Sequence, residues 1–163
     1  MENLSYRKAE IEDIALIIEL AEKAWKPTYS SINSHEQNEY MFSIWYSPEG
    51  LKKQMLEGQT FWLLSNNDTC IGYAAYSSIS NTNFKLNKIY ILPNFKGIGI
   101  GKKFLSNIEN TLKNFGVDTL QLNVNRNNQA SKFYEACGYK IIKEEDIPFD
   151  NYWMNDYVME KAL

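Results

Sequence analysis

The sequence predicts an α/β (α+β) protein: a mixed, mostly antiparallel central sheet of about six or seven strands flanked by helices. Three observations carry this. Apolar residues recur at helical spacing in several separate segments. Short segments rich in β-branched and aromatic residues lie between them, bounded by Asn, Asp, Gly and Pro. Finally, one apolar segment is joined to one helical segment by three alternating glycines, in Lys96-Gly97-Ile98-Gly99-Ile100-Gly101-Lys102.

Leu4 to Ala9 reads as the first strand. Ile14, Ile17, Ile18, Ala21 and Trp25 then mark an amphipathic helix that Pro27 is expected to stop. Ser34 and Gln37 form a plausible capping box for a second helix running towards Trp45. Ser47 with Pro48 starts a third helix, which Gly58 ends. Phe61 to Ser65 and Cys70 to Ile79 read as two antiparallel strands joined across Asn66-Asn67-Asp68, and Leu86 to Leu92, closed by Pro93, is the next strand. Past the glycines, Phe104, Leu105, Ile108, Leu112 and Phe115 line one helix face, with Gly116 as its cap. Leu120, Leu122 and Val124 alternate as a fifth strand. Ala130, Phe133, Tyr134 and Cys137 mark a short helix ended by Gly138, and Tyr139 to Lys143 and Tyr157 to Met159 are the last strands.

A chain of 163 residues, 44% of them hydrophobic, suits one domain with a sizeable core. Its 17 Lys and Arg against 20 Asp and Glu give a net charge of -3, so the basic footprint of a nucleic-acid binder is missing. No targeting segment opens the chain and no apolar run spans a bilayer, so a cytoplasmic protein with no membrane partner is expected. Cys70, Cys137 and the single His35 form no metal-ligand spacing, and no metal is expected. His35 reads as an exposed helix residue.

Three glycines in a tight turn ahead of a helix leave main-chain N–H groups able to cradle a phosphate or diphosphate. The dinucleotide fingerprint fails here: counting from Gly97 puts Lys102 at its third glycine, and counting from Gly99 puts Phe104 there. The triphosphate loop fails too, since five residues before Gly101-Lys102 stands Lys96 and Lys103 follows.

The pattern Lys96-x-x-Gly99-x-Gly101 resembles instead the acetyl-coenzyme A loop of the GNAT N-acetyltransferase superfamily, Q/R-x-x-G-x-G/A, with lysine in place of Gln or Arg. The run Ile89-Tyr90-Ile91-Leu92-Pro93 is similar to the family strand that precedes this loop. A second, distant match is Asn127-x-x-Ala130-x-x-Phe133-Tyr134-x-x-x-Gly138-Tyr139, and Arg7, Ala9 and Asp13 resemble the family's opening. The likeness spans nearly the whole chain, as one acetyltransferase domain over residues 1–163 with a helical, acceptor-side insert over about 27–58. It implies a GNAT-like fold and transfer of an acetyl group from acetyl-CoA to a small-molecule amine, often by a homodimer. It also implies that Ile89, Tyr90, Ile91, Lys96, Gly97, Ile98, Gly99, Ile100, Gly101, Lys102, Asn127, Ala130 and Tyr134 meet the cofactor, with an amide near Ile91 polarising the thioester and Tyr134 acting as general acid.

Read from the residues alone, Tyr134 could equally be a core tyrosine and Asn127 a helix cap. Many relatives carry a glutamate on the strand before the loop. Here that stretch reads Lys85-Leu86-Asn87-Lys88, which leaves a water relay to Tyr73, Tyr76 or Glu36, or an amine that arrives neutral. Trp25, Tyr29, Glu36 and Tyr76 are the candidate acceptor contacts, because aromatic and acidic groups suit a cationic amine. The same aromatics could be core. Alternatives to a small amine or polyamine are a protein N-terminal or lysine amine, or a coenzyme-binding regulator without turnover.

Overall fold

The computed structural model describes residues 3–163. Among them seven strands are hydrogen-bonded in the order β1-β2-β3-β4-β5-β7-β6, and five α-helices flank them: β1 Leu4–Lys8, α1 Ile14–Tyr29, α2 His35–Trp45, α3 Pro48–Leu56, β2 Thr60–Asn66, β3 Thr69–Ser78, β4 Asn83–Ile91, α4 Ile100–Asn114, β5 Thr119–Asn125, α5 Ala130–Ala136, β6 Lys140–Phe149 and β7 Tyr152–Ala162. The sheet is mixed because β4 and β5 run parallel while the β1–β2, β2–β3, β5–β7 and β7–β6 pairs are antiparallel. The chain divides into two compact units, one comprising residues up to Ser77 with Asn87–Leu105, the other Ser78–Leu86 with Ser106–Leu163.

In the first unit, β2 and β3 meet through the two-residue turn Asn67-Asp68, both at positive φ, the backbone that matches the twist of a hairpin. Leu63 opposite Tyr73 and Phe61 opposite Ala75 form one buried face. Leu64 opposite Gly72 belongs to the other, where Tyr6 stacks on Phe104 of α4 at 5.8 Å. Helix α1 buries Ile14, Ile17, Leu20, Ala21, Ala24 and Trp25, a stripe at helical spacing. Pro27 does not stop this helix; α1 continues to Tyr29. The N–H that proline lacks would have reached the carbonyl of Lys23, an exposed residue that water can serve, while the Thr28 hydroxyl donates to Ala24 O at 2.8 Å.

Two serines start the following helices as expected. Ser34 Oγ accepts from Gln37 N at 3.1 Å and Ser47 Oγ from Gly50 N at 3.0 Å. Asn38, the one buried polar residue among those described, donates to Tyr29 O at 2.9 Å and accepts from Asn33 Nδ2 at 3.1 Å. It thereby closes the end of α1 onto α2. Arg7 grips Asp13 through both guanidinium nitrogens, at 2.9 and 2.7 Å, and Asp13 also accepts from Glu10 N, fixing β1 against the start of α1.

In the second unit, Leu120, Leu122 and Val124 are buried on alternate positions of β5. Phe115, expected on the inner face of α4, is 75% exposed: the helix ends at Asn114, and the chain reverses through Gly116 at φ 86°. Helix α5 buries none of its residues, and Phe133 is 36% exposed. The last two strands run far beyond the segments Tyr139 to Lys143 and Tyr157 to Met159 that their apolar residues mark. Only Asp150-Asn151 turns, with Asp150 at φ 51°, and Tyr152–Asn155 already belong to β7. β6 is an edge strand whose charged residues, Lys143, Glu144, Glu145 and Asp146, hide its period.

Two outcomes follow. A Cβ at Gly72 would sit 2.7 Å from Tyr90 O and 3.2 Å from Ile91 Cγ1, so Gly72→Ala must push β4 away and is expected to cost about 1–3 kcal/mol, read from the urea midpoint. An unchanged midpoint would contradict this close approach. Arg7, through its hydrogen bonds, holds the Asp13 carboxyl below its usual 3.8, so the pair contributes stability above that pH and loses it as pH falls through the lowered value. Asp13→Asn should therefore melt earlier at pH 7 and converge with the parent chain in acid.

Candidate active site

Strand β4 ends at Ile91, and Leu92 N donates to Ile71 O at 2.8 Å, after which Pro93–Phe95 make a tight turn. Gly97 and Gly99 follow at φ 78° and 86°, a left-handed conformation that residues with a Cβ rarely adopt. A Cβ at either position would meet nothing within 4 Å, so backbone conformation rather than crowding demands glycine there. Helix α4 is anchored by buried Ile100, Phe104 and Leu105. Its first bond is Lys103 N to Gly99 O at 3.1 Å, which leaves the amides of Ile100, Gly101 and Lys102 ahead of the hydrogen-bond ladder.

Those donors, the positive end of the helix dipole and the exposed Lys96, Lys102 and Lys103 fit an anion of diphosphate size. Ile98 is exposed, Ile89 and Tyr90 are half-buried, and Ile91 is buried at the end of the strand. The cofactor-binding segment read from the sequence is thus one continuous strand, turn and helix start.

On the α1 side of β3 and β4 lies a cluster of phenols. The Tyr29 and Tyr90 hydroxyls are 3.0 Å apart, and the Tyr73 hydroxyl donates to that of Tyr46 at 2.7 Å. The Tyr73 ring lies 5.5 Å from Tyr90 and 6.0 Å from Tyr46. Burial pushes the phenols of Tyr46 and Tyr73 well above their ordinary value of 10, which removes Tyr73 as a proton acceptor near neutrality. Tyr76, three residues along the same strand, points to the opposite face and accepts from Trp62 Nε1 at 3.1 Å.

Of the candidate acceptor contacts, Tyr29 is half-buried and Glu36 is exposed on the first turn of α2. Tyr76 is only 6% exposed, and Trp25 is 3% exposed, ringed by Tyr29, Phe42, Trp45 and Tyr46 with centroids 4.9 to 6.3 Å away. Trp25 therefore packs the helices together. The hydroxyl pairs themselves escaped the sequence reading, because residues 29, 73 and 90 lie on three different elements and residue 46 in the link after α2.

In the second unit, Asn128 rather than Asn127 prepares α5: its Oδ1 accepts from Ala130 N at 2.9 Å, while Asn125 Oδ1 accepts from Asn127 N at 2.9 Å. This leaves the exposed Asn127 side chain outside the capping role. Ala130 and Tyr134 are half-buried, and the Tyr134 ring sits edge-on to Phe133 at 5.4 Å and to Tyr139 at 5.9 Å. Tyr139, 2% exposed, donates its hydroxyl to Glu109 Oε2 at 2.6 Å, and Lys161 Nζ binds both Glu109 oxygens at 3.0 and 3.1 Å. Asp156 on β7 is a carboxylate that spacing alone does not reveal. Burial raises it above its usual 3.8, against the hydrogen bond from Asn123 Nδ2.

Comparison with known proteins follows the same lines. The chain matches the family described as "Acetyltransferase (GNAT) domain" over residues 29–161. It is 30% identical to a spermidine N(1)-acetyltransferase of Thermoplasma acidophilum, across 98% of this chain and 97% of that protein. It is 37% identical to a [ribosomal protein bS18]-alanine N-acetyltransferase of Haemophilus influenzae, across 48% of this chain and 53% of that one. Among solved structures, the PaiA N-acetyltransferase from Thermoplasma acidophilum in complex with coenzyme A superposes with a TM-score of 0.83 at 30% identity, covering 99% of each chain.

The raised Asp156 acid makes a stability prediction. A proton held more tightly in the folded state means that the contribution of Asp156 to stability is greatest below pH 3.8 and falls as pH rises through the raised value. Asp156→Asn should therefore melt later than the parent chain at pH 7, with the advantage vanishing in acid, as read by thermal unfolding across pH; a lower melting temperature at pH 7 would contradict the raised acid. From the glycine turn at the head of α4 to the matches along nearly its full length, the chain is an acetyltransferase of the GNAT family.

Proposed function

We propose that this chain transfers the acetyl group of acetyl-CoA to a primary amine of a small molecule, with polyamines as the acceptor class. The observation that carries the donor is the Gly97–Lys102 turn, whose left-handed glycines and leading amides fit a diphosphate. The acceptor class is supported by the spermidine N(1)-acetyltransferase, which matches 98% of this chain, helices α1 to α3 included, whereas the bS18-alanine enzyme matches 48%. That second similarity favours a protein N-terminal amine as the alternative acceptor.

When bound, acetyl-CoA supplies an acyl group activated as a thioester. In this reading the amides of the turn hold the diphosphate, the main chain of Ile89 to Ile91 lies along the pantetheine arm, and the Ile91 amide donates to the thioester oxygen as negative charge develops there. Asn127 and Ala130 meet the cofactor as their motif implies. Tyr134 gives its proton to the departing sulfur: a phenol near 10 and a thiol near 8.5 are matched well enough for transfer when aligned. The new N–C bond replaces the C–S bond, the amine's own proton leaves through water, and the Tyr134 phenolate regains a proton from solvent; the buried phenols of Tyr46 and Tyr73 resist ionisation and are not the base. Tyr29 and Glu36 are the acceptor contacts, with Trp25 packed against Tyr29, while Tyr76 lies on the other face of the sheet beside Trp62.

Thiol release measured with acetyl-CoA and a panel of spermidine, spermine, a monoamine and an alanine-ended peptide tests the acceptor. Turnover on the polyamines supports the proposal; turnover on the peptide alone favours the protein reading, and tight coenzyme A binding without thiol release favours a regulator. Gly99→Arg is expected to abolish coenzyme A binding, while Tyr134→Phe should lower kcat by roughly a hundredfold and leave that binding intact. kcat/KM should rise with pH and level off at the acceptor's own pKa. A carboxylate-like limb that vanishes on mutating one acid would replace water with that acid as the base.

A further inference from the structure

The Glu109, Tyr139 and Lys161 cluster is assigned no part in the reaction above, yet its three side chains are joined by three hydrogen bonds in the second unit. Its three members come from α4, from the link between α5 and β6, and from β7. Tyr139 is buried and spends its hydroxyl on Glu109 at 2.6 Å; Glu109 is held from its other side by Lys161, whose Nζ also lies 5.7 Å from the centre of the Tyr139 ring. The Tyr139 amide donates to Tyr134 O at 3.0 Å, and so does the Cys137 amide. Gly138, at φ 99°, makes that reversal, and Lys161 Cε would lie 3.4 Å from a Cβ built there. Tyr139 is therefore joined to Tyr134 twice, through the main chain that ends α5 and through the ring contact at 5.9 Å.

Helix α5 buries none of its own residues, and Tyr134 is half-buried between the rings of Phe133 and Tyr139. We infer that Tyr139 is a positioning residue, anchored by the Glu109–Lys161 pair, that fixes the ring orientation of Tyr134. The inference rests on Tyr134 being the general acid. Small errors in the placement of a reacting group cost rate more than affinity, so the signature is a loss of kcat at constant KM.

The test compares Tyr139→Phe, Glu109→Ala and Glu109→Gln with the parent chain and with Tyr134→Phe. Tyr139→Phe keeps the ring and loses only the anchoring hydroxyl; it should lower kcat about tenfold while KM for acetyl-CoA and for the amine stay within about twofold. Glu109→Ala should behave alike. Glu109→Gln keeps a carbonyl oxygen for the Tyr139 hydroxyl and should restore most of kcat. In the cofactor-free chain labelled with 13C in its tyrosine rings, the Tyr134 signal, identified by its absence from Tyr134→Phe, should shift or broaden in Tyr139→Phe and return towards its parent position in Glu109→Gln.

Parent-like kcat in Tyr139→Phe and Glu109→Ala, or an unmoved Tyr134 signal, overturns the inference while leaving the acid assignment standing if Tyr134→Phe is slow. Parent-like kcat in Tyr134→Phe overturns the acid assignment instead, and the shifted ring signal then reports the anchor alone. Should Tyr139→Phe fail to fold by circular dichroism, the Glu109 pair of variants decides by the same readings.

Discussion

A strand that must become a helix within a few residues, without covering its own amides, is the constraint on which the rest of this molecule depends. β4 ends at Ile91, α4 begins at Ile100, and the chain between reverses through two left-handed glycines. Side chains before and after the turn are committed to packing. Ile91, Ile100, Phe104 and Leu105 are all buried, so the turn is held rigidly from both ends while its own residues stay exposed. Burying an aliphatic or aromatic side chain contributes about 1.5–3 kcal/mol, and four such anchors outweigh the strain of a turn built from glycine. The same economy appears at Gly72, where β3 gives up a side chain so that the β4 backbone can come close.

Several polar groups near the core follow one rule, a tie to a partner on a different element; Gln54 Oε1, buried with no hydrogen-bond partner, departs from it. Asn38 joins the ends of α1 and α2, Arg7 and Asp13 join β1 to the approach of α1, and Glu109 gathers Tyr139 and Lys161. A buried hydrogen bond adds little net stability, but a buried group left without one costs about 1–3 kcal/mol, so these ties specify geometry more than they add stability. The phenol pairs Tyr46–Tyr73 and Tyr29–Tyr90 obey the rule as well. The burial of Tyr46 and Tyr73 has a chemical consequence, because a phenol that resists ionisation can orient and pass hydrogen bonds yet cannot store charge.

Most of the secondary structure was legible in the sequence, since period and punctuation agreed. The α1 stripe, the Ser34 and Ser47 caps, the Asn67-Asp68 turn and the alternation of β5 all appear as expected. The departures share a cause: tertiary context overrode a local signal. Pro27 sits in a final helical turn where the lost hydrogen bond falls on the carbonyl of the exposed residue Lys23. Phe115 is hydrophobic yet exposed because it lies beyond the end of its helix, and Phe133 is exposed on a helix with no buried residue. β6 and β7 reach well past their apolar cores because strand pairing, not burial, sustains them. The glycine turn was readable because φ leaves a compositional mark. Hydroxyl pairs and the Tyr139 anchor were not, because distances between elements leave none.

The central claim is that main-chain amides of the turn bind the diphosphate of coenzyme A. Hydrogen exchange followed by NMR, residue by residue and with and without coenzyme A, tests it directly. Strong added protection is expected at Gly99, Ile100, Gly101 and Lys102, together with downfield amide shifts at the same residues. Protection that arises elsewhere while these four amides exchange as before would contradict it.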